Sequence, residues 1–90
     1  MTILEETLLA MVVLLEKNGE AEWSRSLREM AFQIGAGRAE DVIDKVRRSF
    51  GGMGSLNDVV LQQGGIPSCD NDHFDSLRSE LFNLVTVRVK

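Results

Sequence analysis

Cys69, His73 and the aspartates beside them are the residues whose types and order come nearest to a nucleophile, a base and an orienting acid. Cys69 and His73 stand four positions apart, with Asp70, Asp72 and Asp75 close enough in sequence to orient the imidazole. A helix is expected to begin between the thiol and the ring. That boundary makes Cys69 a small loop residue and His73 a polar residue of the first turn. No catalytic residue is assigned, and the chain reads as non-enzymatic.

The same aspartates resemble the opening of a calcium loop. Such a loop continues with ligands at alternating positions, a central Gly and a closing Glu, none of which follows before the chain turns helical near Phe74. One Cys and one His are too few for a zinc cluster, so no metal and no cofactor is expected. Gly51-Gly52-Met53-Gly54-Ser55 could present backbone N–H groups to a phosphate at a helix start. A P-loop also needs a lysine, and no Lys or Arg lies between Ser49 and Leu77.

That gap is the strongest signal in the chain. It holds four acids (Asp58, Asp70, Asp72 and Asp75), while all ten basic residues lie outside it, seven of them before Ser49. Wherever it is exposed, such a belt carries a negative potential suited to a cationic partner, speeding encounter and fixing register. The residues expected to bind that partner are Asn57, Asp58, Asp70, Asp72 and Asp75, with Met53 as an apolar anchor.

Several helices must position this belt. Thr2 and Glu5 stand in a capping-box relation. Leu4, Leu8, Met11, Val12 and Leu15 then repeat at helical spacing, and Ile3, Leu9, Val13 and Leu14 widen the stripe until the helix needs neighbours on several sides. Gly19 supplies its left-handed stop. A second helix is expected over about Glu20 to Ile34, with Trp23, Leu27, Met30, Ala31 and Ile34 inward and Glu22, Arg25, Arg28 and Glu29 outward. Gly35-Ala36-Gly37 breaks it. A third follows over Arg38 to Ser49, with Ala39, Val42, Ile43, Val46 and Phe50 inward and the pairs Asp41–Lys45 and Asp44–Arg48 on its surface.

After the glycines, Ser55 and Asp58 predict a short helix from Leu56 to about Gln62 that buries Leu56, Val59 and Val60; the alternative, a short strand at Val59-Val60-Leu61, finds no second convincing strand to pair with. Gln63 to Asp72 reads as a loop broken by Gly64, Gly65 and Pro67. The last helix, capped by Asp70 or Asn71, carries Phe74, Leu77, Leu81, Leu84, Val85 and Arg88, and frays where Val85 to Val89 alternate like a strand. The fold class is thus all-α: a small bundle of four main helices plus a short helix after the glycine-rich loop, in a single domain over residues 1–90. Ninety residues leave no room for a second core.

Composition narrows the function further. Hydrophobic residues make up 43% and charged residues 27%, which argues against disorder. A net charge of −4 has the wrong sign for a partner made of phosphates, so nucleic acid is not expected. The apolar run at Ile3–Leu15 is too short for a bilayer and carries Glu5 and Glu6, and no membrane association is expected. With one cysteine and no leader, the chain reads as soluble and cytoplasmic.

The stretch Arg48-Ser49-Phe50-Gly51-Gly52-Met53-Gly54-Ser55-Leu56-Asn57-Asp58 resembles a family of small bacterial proteins of uncharacterised function, which carry such a segment after three helices. Some small helical proteins of this kind are similar to immunity proteins, encoded beside the bacterial toxins they neutralise. The resemblance implies an acidic protein-binding module that occludes a secreted, cationic toxin. The alternative expectation is a structural or regulatory subunit, in which the apolar positions of the first helix pack against a second copy or another chain.

Overall fold

The chain is described by a computed structural model over residues 3–49, 56 and 59–87. The described residues form α1 (Ile3–Lys17), α2 (Ala21–Gly35), α3 (Ala39–Ser49), a hairpin of β1 (Gln62–Gln63) and β2 (Ile66–Pro67), and α4 (Asn71–Val87). The roles expected of Thr2, Phe50, the Gly51–Ser55 stretch and Arg88 fall outside the described residues.

α1 is the central element because its apolar residues leave no polar side wide enough to face water. Leu4, Leu8, Met11, Val12, Leu14 and Leu15 are all buried, and α1 packs against both α2 and α4. Only Ile3 and Val13 of its large apolar side chains remain exposed. Most of the apolar surface of α1 is therefore occupied by the protein's own helices.

α1 and α2 both end in a Schellman motif. The Glu20 N–H donates to the Leu15 carbonyl and the Gly19 N–H to the Glu16 carbonyl; the Arg38 N–H donates to Gln33 and the Gly37 N–H to Ile34. The turning residues, Gly19 and Gly37, have φ of 80° and 88°, where a Cβ would be strained. Arg28 of α2 pairs with Glu16 of α1, and Lys45 of α3 donates to Gln33 of α2 at 3.0 Å. The expected Asp44–Arg48 pair is present at 3.8 Å.

Of the short helix expected from Leu56 to about Gln62, the described residues show a 3-10 turn at Leu56, whose carbonyl accepts from the Val59 N–H at 3.4 Å, and no helix from Val59 onward. Val59, Val60 and Leu61 have no regular structure, and Gln62–Gln63 pair antiparallel with Ile66–Pro67. Gly64 and Gly65, read as breakers of a loop, turn this hairpin with φ of 61° and 83°. Two successive positive φ values are what a type I′ turn requires, and its twist matches that of the strands it joins. Val60, expected inside, is 52% exposed, while its neighbours Val59 and Leu61 are buried. α4 continues to Val87, so helical packing overrides the alternation of Val85 to Val87.

The core is almost wholly aliphatic. Among the described residues, Leu8, Met11, Leu15, Leu27, Val42, Val46, Leu56, Leu61, Leu81 and Val85 are closed from solvent, joined by one aromatic ring, Phe74. The Arg47 Nε donates to the Val85 carbonyl at 3.2 Å and ties α3 to α4.

Candidate functional site

The belt that lacks bases in sequence does not lack them in space. Asp70 precedes α4, and its carboxylate turns away from its own helix toward the end of α1. Asn18 Nδ2 donates to it at 3.1 Å, and Lys17 Nζ lies 3.4 Å away. The Asn18 hydrogen bond holds the Asp70 carboxyl below its ordinary range; partial burial opposes this, and the charges of Lys17 and His73 reinforce it. Asn18 Nδ2 also donates to the Leu14 carbonyl at 2.8 Å. This bond set orients the amide, since the reverse orientation would aim its oxygen at a carboxylate.

Asp75 is likewise engaged, by Arg78 one turn further along α4. Arg78 Nη1 donates to the carbonyls of Leu56 and Val59, each at 3.0 Å, and the guanidinium lies over the Phe74 ring at 5.4 Å. One cation thus fastens the incoming segment to α4. Asp72 is different: it is exposed in the first turn, and among the described residues its carboxylate has no partner. Of the six residues expected to bind a partner, Asp70 and Asp75 have internal partners and Asp72 stands open. Met53, Asn57 and Asp58 lie outside the described residues.

Cys69 and His73 are both exposed, the first in the turn before α4 and the second in its first turn. Among the described residues, no three His, Cys, Asp or Glu side chains gather as a metal would need. No described helix is long and apolar enough to cross a membrane.

The bond between Asn18 and Asp70 brings a second group of acids to the same end of the molecule. Immediately after Asn18 and Gly19, the start of α2 forms a shallow groove lined by Glu20, Glu22, Trp23 and Ser26. Glu20 occupies the N-cap position without making a side-chain capping bond. Among the described residues, neither Glu20 nor Glu22 has a partner for its carboxylate. Trp23 is half-buried against the core and lines the groove. The N-termini of α2 and α4 both open at this end, and their dipoles favour the acids collected there.

The hairpin belongs to the same end. Asn71 holds Leu61 by both of its backbone groups, and the Ser68 N–H donates to the Leu61 carbonyl at 2.8 Å. Val60 and Ile66, 52% and 67% exposed, project from this anchored unit. The result is an end with open acids at Glu20, Glu22 and Asp72 and apolar side chains at Trp23, Val60 and Ile66. A mixture of apolar and charged side chains is typical of protein interfaces. Sequence reading placed Glu22 on an outward face and Trp23 on an inward one. It missed their association with the aspartates, because that depends on a contact spanning 52 positions.

The family model for a domain of unknown function, DUF6966, matches residues 16–67, from the end of α1 through the hairpin. No curated protein and no solved structure matches the chain. The matched residues are more than half of the chain, which therefore belongs to the DUF6966 family.

Proposed function

We propose that this member of the DUF6966 family is a soluble, non-enzymatic protein-binding module of the immunity type. In the cytoplasm it docks by its acidic end on a cationic protein, a bacterial toxin, and inhibits it by covering the cleft its substrate would enter. The observation that carries this reading is the Asn18–Asp70 contact, which gathers Glu20, Glu22 and Trp23 from one half of the chain beside Asp72 from the other. A nuclease-like partner that binds phosphates is basic, and an acidic surface of this kind competes for the same charges. A standard interface takes about 800 Å² per partner, a modest share of the 5579 Å² that the molecule exposes.

Occlusion needs no chemistry from the module itself. Carboxylates held near the positive ends of two helices meet the partner's lysines and arginines. Trp23 adds a ring face for a cationic side chain, and Val60 and Ile66 add area that leaves water on contact.

The test is co-expression with a basic toxin encoded by the adjacent reading frame, with growth as the readout, followed by titration of the purified pair. Rescue is expected, and Glu22→Lys and Asp72→Lys should each weaken binding by about tenfold at low salt, an effect that shrinks as salt rises. Absence of such a reading frame, or unchanged binding by the double reversal, would sink the proposal.

A further inference from the structure

The outer face of α2 has the opposite character. Phe32 is 76% exposed, more than any other large apolar side chain among the described residues. It lies in a groove with Arg25, Arg28, Glu29, Ala36 and Arg38. Arg28 is anchored by its pair with Glu16. Among the described residues, Arg25 and Arg38 have no acid within ion-pair distance, and Glu29 is the one acid lining the groove. In a chain of net charge −4, this is a local excess of cations around an uncovered aromatic ring.

The groove is separate from the acidic end. Trp23 and Phe32 are nine positions apart, and at about 100° per residue they point to opposite sides of α2. Glu22, by contrast, stands one turn before Arg25 on the same stripe, so Asp72 of α4 is the position whose charge reversal probes the acidic end alone.

We propose that this face is a second docking surface, whose occupant is an acidic, amphipathic segment of another protein. Its carboxylates pair with Arg25 and Arg38, and an apolar side chain between them packs on the Phe32 ring. Charge complementarity selects this occupant. Arginine forks match carboxylates in geometry as well as sign, and the aromatic ring supplies the buried anchor on which interface energy concentrates. A nucleic acid would need a row of cations to follow its phosphates, and the groove offers Arg25 and Arg38 with an acid, Glu29, among its lining residues.

The test is selection of random short peptides displayed on phage against the intact protein, with depletion on Phe32→Asp. Because Phe32 is exposed, the variant should keep its circular dichroism and melting temperature; Arg25→Glu/Arg38→Glu serves as the second probe. Phe32-dependent peptides are expected to be rich in Asp and Glu around one large apolar residue, and the double reversal should weaken them by about tenfold or more. Four outcomes would overturn the proposal: no Phe32-dependent peptide, selected peptides that are neutral or basic, a dimer in sedimentation that Phe32→Asp abolishes, or Phe32-dependent binding of a single-stranded oligonucleotide. The third would assign the face to a second copy, and the fourth to nucleic acid.

Discussion

The side-chain amide of Asn71 grips Leu61 as a paired strand would: Oδ1 accepts the Leu61 N–H at 2.8 Å, and Nδ2 donates to the Leu61 carbonyl at 2.9 Å. The same Nδ2 reaches the Ser68 carbonyl at 3.0 Å. A residue in the first turn of α4 thus closes the base of the hairpin. With Asp70 turned toward α1, the two residues at the helix start serve other elements rather than their own.

Asn71→Ala should therefore destabilise the protein by about 1–3 kcal/mol, because the buried Leu61 loses the acceptor for its N–H. Asn71→Asp should not restore it, since the donor is lost and a charge faces the Leu61 carbonyl. Urea unfolding of both variants checks this. A loss below half a kcal/mol in both, on the order of measurement error for surface changes, would remove Asn71 from this role.

The link between α1 and α4 should weaken in acid. The Asp70 carboxyl lies below its ordinary value of 3.8 when folded. Its contribution is therefore complete above that value and is lost as pH falls through the lower folded one. At neutral pH, Asp70→Asn should be less stable than the parent chain, and the difference should narrow steadily below about pH 4. A difference that stays constant across this range would show that the charge on Asp70 is not what matters.

Arg78 should not be replaceable by lysine. Its fork serves two carbonyls, a carboxylate and a ring face at once, and an ammonium lacks the spread of donors to do so. Arg78→Lys should cost about 1–3 kcal/mol. It should also speed hydrogen exchange at the Val59 and Leu61 amides more than at the amides of α2. Uniform acceleration across the chain would instead indicate a global effect.

The hairpin turn separates backbone strain from packing. Nothing lies within 4 Å of a Cβ placed on Gly64 or Gly65, so substitution there costs only what the positive φ imposes. Gly64→Asn should be tolerated, since Asn-Gly suits this turn. Gly65→Val should cost about 1–2 kcal/mol. Equal melting temperatures for the two variants would contradict the I′ geometry.

Much of the helical frame could be read directly. The stripe from Leu4 to Leu15, the stop at Gly19, the inward set Leu27, Met30, Ala31 and Ile34, and the Asp44–Arg48 pair are all local patterns, in which each residue's neighbours lie within a turn or two. The hairpin could not be read in the same way. Its strands are two residues each, and their pairing depends on Ser68 and Asn71 reaching back to Leu61. The Gly64-Gly65 pair carried the turn signal, and a reading of this dipeptide as a hairpin would have found it.

By itself, the sequence determined four amphipathic helices, an aliphatic core and an acidic balance, because these follow from periodicity and composition. Tertiary structure decided which charges remain available. Lys17 and Asn18 meet Asp70 across more than half the chain, Arg78 folds back over Asp75 and the segment before the hairpin, and Glu20, Glu22 and Asp72 are left open. The physical reason is that a helix is set by neighbours along the chain, whereas the potential of a surface depends on distances through space, which exist only once the helices have packed.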